Sequence, residues 1–273
     1  MPLLEKPGAV LLIGAGRMGG ALLKGWLAAE RFSAIHVVEP QPGPAIRELA
    51  EAGRIRLRGE VAVPPKLAAA VIALKPQVLK TQAELLRTLG ASGALAVSIA
   101  AGVTTRFLSE GLGGRSPIVR AMPNTPGAIG RGITALYGDP VLQPEQRRFA
   151  EELMAGLGQT LWLTDEALMD AVTAVSGSGP AYLFLMAEAL AAAGRAQGLD
   201  AATADRLARA TVAGAGALLD SDPRPAAELR KEVTSPGGTT EAALRILMGE
   251  DGLQALMQRA VDAAARRGRE LGS

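Results

Sequence analysis

The sequence predicts an α/β fold: a doubly wound sheet over the first part of the chain, followed by an all-helical domain. Two observations carry this expectation. Up to residue 164, short apolar runs alternate with segments of helical periodicity, the pattern of parallel strands joined by crossover helices. From Asp165 that alternation stops, and alanine- and leucine-rich helical segments continue to the end. The expected division is therefore residues 1–164 and 165–273.

Taken in order, Ala9–Ile13 is an unbroken apolar run of strand length, and Met18–Ala29 behind it has helical spacing. Ala34–Val38 and Pro44–Ala52 repeat the pair. Leu67–Ala70 leads into the apolar run Val71–Leu74, and Thr81–Leu89 is again helical. Leu95–Ala100 reads as a strand, Thr105–Gly111 as a short helix and Pro117–Met122 as a further strand. Glu145–Gly156 follows as a helix, with Thr160–Leu163 as the last strand.

Beyond it, Pro180–Gln197, Ala201–Leu219, Pro225–Val233 and Gly252–Leu271 are all helical in pattern. In the last of these, Leu253, Leu256, Met257, Ala260, Val261 and Ala264 share one face. The segment Ala208–Ala217 places Ala210, Ala213, Gly214 and Ala217 together with little bulk. Glycine costs a helix ~1 kcal/mol relative to alanine, so a close helix contact is the expected return. This half is expected to carry a dimer interface.

Composition narrows the function classes. The 29 basic and 27 acidic side chains leave a formal charge of +2 with no basic stripe interleaved with aromatics, so a nucleic-acid partner is not expected. The absence of cysteine excludes disulfides, thiolate metal ligands and a cysteine nucleophile, and no metal site is expected. No secretory leader stands out, because Ala9–Ile13 runs straight into a glycine-rich turn. The apolar stretch Pro180–Ala187 is far shorter than the ~20 residues that cross a bilayer, so a cytoplasmic chain without a membrane partner is expected.

The turn itself, Gly14-Ala15-Gly16-Arg17-Met18-Gly19, fits G-x-G-x-x-G between a strand and a helix, the setting of a Rossmann-type dinucleotide site. Gly14 allows the tight turn, Gly16 lets the backbone approach a pyrophosphate and Gly19 permits close helix–strand packing. The helix N-terminus offers N–H groups and a positive dipole end to the phosphates. Glu39 stands 20 residues beyond Gly19, where an acid accepts from the ribose hydroxyls and repels a 2′-phosphate. Arg47, Arg54, Arg56 and Arg58 nearby are alternative phosphate partners. The cofactor is expected to be NAD(H) or NADP(H), with Glu39 favouring NADH.

Three further stretches fall where ligands bind in open α/β sheets, at carboxyl ends of strands: Ala73-Leu74-Lys75-Pro76-Gln77, Ser98-Ile99-Ala100-Ala101-Gly102-Val103 and Met122-Pro123-Asn124-Thr125-Pro126. Two more motifs lie in the helical half, Ser176-Gly177-Ser178-Gly179-Pro180-Ala181-Tyr182 and Thr234-Ser235-Pro236-Gly237-Gly238-Thr239-Thr240. In this order and spacing, the set resembles pyrroline-5-carboxylate reductase over essentially the whole chain. The resemblance implies a Rossmann domain, a helical dimerisation domain, a homodimer and, in many members, a larger ring, a decamer of five dimers. It implies reduction of 1-pyrroline-5-carboxylate to L-proline by hydride from NAD(P)H. It also implies a substrate held between one subunit's nicotinamide and helices of the dimer partner. Leu74, Lys75, Pro76, Ala100 and Ala101 would line the nicotinamide end, and Ser235, Gly237, Gly238, Thr239 and Thr240 would hold the substrate, with Thr240 as the catalytic group on the ring nitrogen. Two positions depart from the family's pattern: Glu60, where asparagine often contacts the cofactor, and Glu39, where serine or asparagine is frequent.

The residue inventory agrees with this chemistry. A cyclic imine is readily protonated and then accepts hydride at carbon, so two bound and aligned reactants need no strong protein acid. The only histidine, His36, falls inside the second strand and is expected to be structural. A simpler role for Thr239 or Thr240 is to cap the helix that follows, with Glu241 in its first turn. Two other functions share the glycine turn. A 3-hydroxyacid-type dehydrogenase would use a lysine on a helix of the second domain, and Pro180–Leu190 contains none. A non-catalytic dinucleotide-binding regulatory protein would have no use for the Ser235–Thr240 turn.

Overall fold

The computed structural model describes residues 8–272. Strand β1 (Ala9–Ile13) is buried along its whole length, as an apolar run without alternation demands of a strand covered on both faces. Behind it come α1 (Arg17–Ala29), β2 (Ile35–Val38), α2 (Pro44–Glu51), β3 (Arg56–Arg58) and β4 (Leu67–Ile72). Next are α3 (Pro76–Leu79), α4 (Ala83–Gly90), β5 (Leu95–Ser98), α5 (Thr105–Leu112) and β6 (Ile118–Met122). These six strands are parallel. Strand β7 (Gly132–Gly138) runs antiparallel to β6, and after α6 (Pro144–Met154) strand β8 (Gly158–Trp162) lies parallel to β7.

The strand order is β3-β2-β1-β4-β5-β6-β7-β8, so the chain reverses its direction of winding between β1 and β4. That reversal opens the crevice in which doubly wound sheets bind ligands. Two strands had no counterpart in the sequence pattern. Strand β3 is three residues with its two arginines exposed at the sheet edge, and has no apolar run to announce it. Strand β7 follows the short connection 123–131, too short for the dozen or more residues of a crossover, and so pairs antiparallel.

Alternate residues of β1 feed two cores. Val10 and Leu12 join Leu22, Trp26 and Leu153 on one face; Leu11 and Ile13 join Leu86 and Leu108 on the other. On the first face, Trp26 donates its indole N–H to Leu153 O at 2.8 Å and packs edge-on against Phe32. Gly25 passes Gly156 so closely that a Cβ on either would lie 2.7 Å from the other's Cα.

The rest is helical: α7 (Met169–Val172), a π turn at Thr173–Gly177, then α8 (Gly179–Ala196), α9 (Ala201–Ser221), α10 (Ala226–Glu232), α11 (Thr239–Leu247) and α12 (Leu253–Gly272). By packing, residues up to 177 and from 265 onward form one unit and residues 178–264 another. Strand pattern ends near 164, but packing allegiance changes at 177. The helical segment between belongs to the sheet's unit: Glu166 accepts from Arg120 and Thr105, and Met169 and Ala174 are buried. Within the second unit, α8 and α9 pack on one another, and the Asp200 carboxylate caps α9 by accepting from Thr203 N at 3.0 Å. Among the described residues no helix is long and apolar enough to cross a membrane.

Candidate active site

At the end of β1 the chain turns through Gly14 at φ +92°, a conformation that excludes most side chains. A Cβ there would also stand 2.7 Å from Ala73 O, and one on Gly19 would collide with the Gly14 carbonyl. Gly16 is different: nothing lies within 4 Å of where its Cβ would be. It is the N-cap of α1, with no side chain capping the helix and no acid in its first turn. The first intrahelical bond is Gly20 N to Gly16 O, so the N–H groups before it face outward without intrahelical acceptors. An open backbone concavity ringed by unmet donors suits a pyrophosphate, and Gly14, Gly16, Arg17, Met18 and Gly19 are assembled at it.

Ala15 is the exception among those donors. Its N–H donates to Glu39 Oε2 at 2.9 Å, while Gln41 N donates to Glu39 Oε1 at 3.1 Å. The half-buried Glu39 carboxylate is thereby held beside the glycine turn. Arg58 is its neighbour across the sheet edge, since Glu39 N donates to Arg58 O at 3.0 Å.

Backbone bonds then stitch the other loops alongside. Gly14 N donates to Val38 O, Ala73 N to Ile13 O and Ile99 N to Ile72 O. The carboxyl ends of β2, β1, β4 and β5 therefore lie in one row. Leu74, Lys75 and Pro76 open α3, with Lys75 as N-cap and Pro76 in the first turn. Ala100, buried, and Ala101, half-buried, lead into a turn at Gly102, φ +73°. Flat, small and partly accessible, these surfaces suit an aromatic ring held through backbone contacts. The fold thus brings Gly14–Gly19, Glu39, Leu74–Pro76, Ala100 and Ala101 to one edge of the sheet, whereas Arg54 and Arg56 line cavities beside Ser33 and Ala34 at the amino end of β2.

Two pairings at this edge had no signal in the sequence, because their members are far apart along the chain, although Asn124 and Ser176 each stand in one of the quoted motifs. Arg120 on β6, its side chain 9% exposed, pairs with Glu166 at 2.6 Å, and Glu166 also accepts from Thr105 N and Thr105 Oγ1. Burial pushes the Glu166 carboxyl upward, but the bonds from Thr105 and Arg120 outweigh it and hold it below its ordinary value. Asn124 accepts from Ile133 N and donates to Ser176 Oγ. His36, by contrast, is buried in β2 with Nδ1 unpartnered; burial, then Arg56 and Arg58, hold its pKa down.

The second group of candidates lies in the other unit. Gly237 adopts φ +71°, and Gly238 donates its N–H to Ser235 O at 3.0 Å, closing a turn that opens α11. A Cβ on Gly238 would sit 2.5 Å from Ser235 Oγ. Gly238 itself is the N-cap of α11, and no side chain caps the helix, so the capping role considered for Thr239 and Thr240 is not realised. Both threonines lie inside the first turn because the tight Ser235–Gly238 turn already sets the helix start. Glu241 reaches back instead, accepting from Gly237 N at 2.8 Å. Ala242 N to Gly238 O is the first bond into the helix, leaving the N–H groups of Thr239, Thr240 and Glu241 without backbone acceptors. Thr240 is half-buried, Ser235 and Thr239 exposed.

A family model described as pyrroline-5-carboxylate reductase dimerisation matches residues 166–271, and one described as NADP oxidoreductase, coenzyme F420-dependent, matches residues 9–102. A curated pyrroline-5-carboxylate reductase of Pseudomonas aeruginosa is 40% identical, with 96% of each chain covered. The chain belongs to the pyrroline-5-carboxylate reductase family. Among solved structures, a pyrroline-5-carboxylate reductase of Coxiella burnetii superposes with a TM-score of 0.88 at 34% identity, covering 97% of this chain and 98% of that one. A Plasmodium falciparum family member with NADP bound gives a TM-score of 0.80 at 25% identity, again over 97% of this chain and 98% of its own. The family's dimerisation region thus takes in the Ser235–Thr240 turn, and the NADP oxidoreductase match takes in the glycine turn, Glu39 and the loops after β4 and β5.

Proposed function

We infer that the protein reduces 1-pyrroline-5-carboxylate to L-proline with NAD(P)H, the last step of proline biosynthesis. The observation that carries this is full-length similarity to reductases of that name, at 40% identity over 96% of the chain. When bound, the reduced dinucleotide supplies hydride to the imine carbon, and a proton at nitrogen completes the amine.

The chain's own residues have three tasks. Gly14 to Gly19 seat the pyrophosphate on the α1 N-terminus, and Glu39 meets the adenosine ribose. Leu74–Pro76 and Ala100–Ala101 form the surface for the nicotinamide. Ser235 and Thr239 hold the substrate carboxylate together with the N–H groups of Thr239, Thr240 and Glu241 at the start of α11, where the helix dipole favours an anion, and Gly237 and Gly238 shape the turn that presents them. Thr240 Oγ1 hydrogen-bonds the ring nitrogen and relays a proton from water. In this reading the sheet's unit, up to residue 177, binds the dinucleotide, and the helices of 178–264 bind substrate and assemble the protein, a homo-oligomer, as dimers and as a decamer of five dimers. A cytoplasmic location goes with that role.

The deciding experiment is an assay of proline formation from 1-pyrroline-5-carboxylate, with Thr240→Ala and Ser235→Ala beside the wild type. Thr240→Ala should lower kcat roughly tenfold to a hundredfold with little change in KM, the loss of one transition-state hydrogen bond. Ser235→Ala should chiefly raise KM. Because no side chain caps α11, the melting temperature of Thr240→Ala should stay near that of the wild type. Unchanged kinetics in a folded Thr240→Ala enzyme would remove Thr240 from the mechanism.

A further inference from the structure

Two of the sequence motifs, Met122–Pro126 and Ser176–Tyr182, contribute residues to one place in the sheet's unit: Met122 and Asn124 from the first, Ser176 and Gly177 from the second. Asn124 Nδ2 lies 3.1 Å from Ser176 Oγ, and Asn124 Oδ1 lies 3.0 Å from Ile133 N. The second contact fixes the sense of the first. A backbone N–H only donates, so the amide oxygen of Asn124 must face Ile133 and its NH₂ must face Ser176. Ser176 Oγ therefore accepts, and its own hydrogen is directed at some other acceptor. Among the described residues no protein group takes it.

The surrounding packing is shaped around this pair. A Cβ on Gly132 would stand 2.8 Å from Asn124 Oδ1, and one on Gly177 would stand 2.6 Å from Met122 Cε. Ser176 lies in the π turn Thr173–Gly177, a distortion that recurs at functional sites. It is half-buried, so a ligand can reach it. Asn124 follows the end of β6, which is paired with β5, so the pair sits beside the Ala100–Ala101 loop on the carboxyl edge of the sheet.

We infer that Ser176 donates a hydrogen bond to the carboxamide oxygen of bound nicotinamide, and that Asn124 is the positioning residue that keeps Ser176 a donor. The inference rests on the reductase reading of the same site. A single neutral O–H suits a neutral carbonyl whose orientation decides where C4 points. The substrate carboxylate is met instead by the cluster of N–H groups at the start of α11.

The experiment is calorimetric titration of the full-length protein with NADH and with ADP-ribose, which lacks the nicotinamide. Ser176→Ala should weaken NADH about threefold to tenfold, the loss of one neutral hydrogen bond, and leave ADP-ribose unchanged. Asn124→Asp should do the same. One carboxylate oxygen still accepts from Ile133 N, while the other now accepts from Ser176 and turns its hydroxyl inward. The double variant should be no weaker than either single one, and Ser176→Thr should retain wild-type affinity. Unchanged NADH affinity in Ser176→Ala, or an equal loss for both ligands, would overturn the assignment. A rise in substrate KM with NADH affinity intact would overturn it too, by giving the donor to the substrate. Failure of the wild type to bind either nucleotide would sink the cofactor reading itself, a result distinct from all of these.

Discussion

The sheet's unit and the helices of 178–264 bury their apolar side chains to very different degrees. In the first, Trp26 is 1% exposed and Leu22 and Leu108 are fully covered. In the second, only Pro180, Ala191, Ala204 and Ala208 are buried among the described residues, while Phe184, Leu185 and Leu218 stand at 64%, 63% and 64% exposure. One region carries its own core; the other carries the material for a core and leaves it open. A helix pair that buries only small side chains cannot offset the entropy of ordering it. Exposed apolar surface on that scale marks an interface, in keeping with the family's dimerisation region. Folding and assembly are thus separate tasks in the first unit and one task in the second.

The largest expected effect tests the first half of that contrast. Trp26→Ala removes a buried indole, its bond to Leu153 O and its contact with Phe32, and should cost about 3–5 kcal/mol in urea unfolding. The oligomer should survive in sedimentation under native conditions. A cost below about 1 kcal/mol would mean that the sheet's core is not the source of stability.

Phe184→Ala tests the other half. Truncating an interface aromatic should weaken association by about 2 kcal/mol, roughly thirtyfold in Kd, and the melting temperature should become more dependent on protein concentration. If sedimentation reveals the same association constant as the wild type, the open face of α8 is not the interface.

A smaller effect separates the units by pH. The folded-state pKa of Glu166 is depressed, so its stabilisation is complete above the ordinary glutamate value of 4.5 and is lost as the pH falls through the lower folded value. Glu166→Gln should therefore lower stability at neutral pH by about 1–3 kcal/mol, because it keeps an acceptor for Arg120 but leaves that largely buried guanidinium without its counter-charge. The variant should also flatten the acid limb of the urea-midpoint profile. An acid limb identical to that of the wild type would place the acid lability elsewhere.

The smallest effect is confined to the glycine turn. NADH should support turnover at least as well as NADPH, since the Glu39 carboxylate is held beside the glycine turn by Ala15 N–H, where it would repel a 2′-phosphate. Glu39→Ser should shift the ratio of kcat/KM values toward NADPH several-fold, with neighbouring Arg58 left to meet a 2′-phosphate. A strong NADPH preference in the wild type would turn that assignment over to the arginine.

What was legible in the sequence was local. Apolar runs of strand length, helical periodicity and G-x-G-x-x-G each involve residues a few positions apart, so the doubly wound sheet, the helical second half and the glycine turn could be read directly. Strand β3 and strand β7 were not legible, one being a three-residue edge without apolar residues and the other depending on a short return from β6. The capping role weighed for Thr239 and Thr240 was settled only by the Ser235–Gly238 turn, which sets the start of α11 at Gly238. Gly25 against Gly156, Arg120 against Glu166 and Asn124 against Ser176 likewise join residues from distant parts of the chain. By itself the sequence determined most of the segments that become strands and helices and the glycine turn that opens α1, because backbone sterics and side-chain periodicity act over short range. Only the tertiary structure decided which buried polar groups are partnered and which way a hydroxyl points, because those depend on the single neighbour that packing supplies.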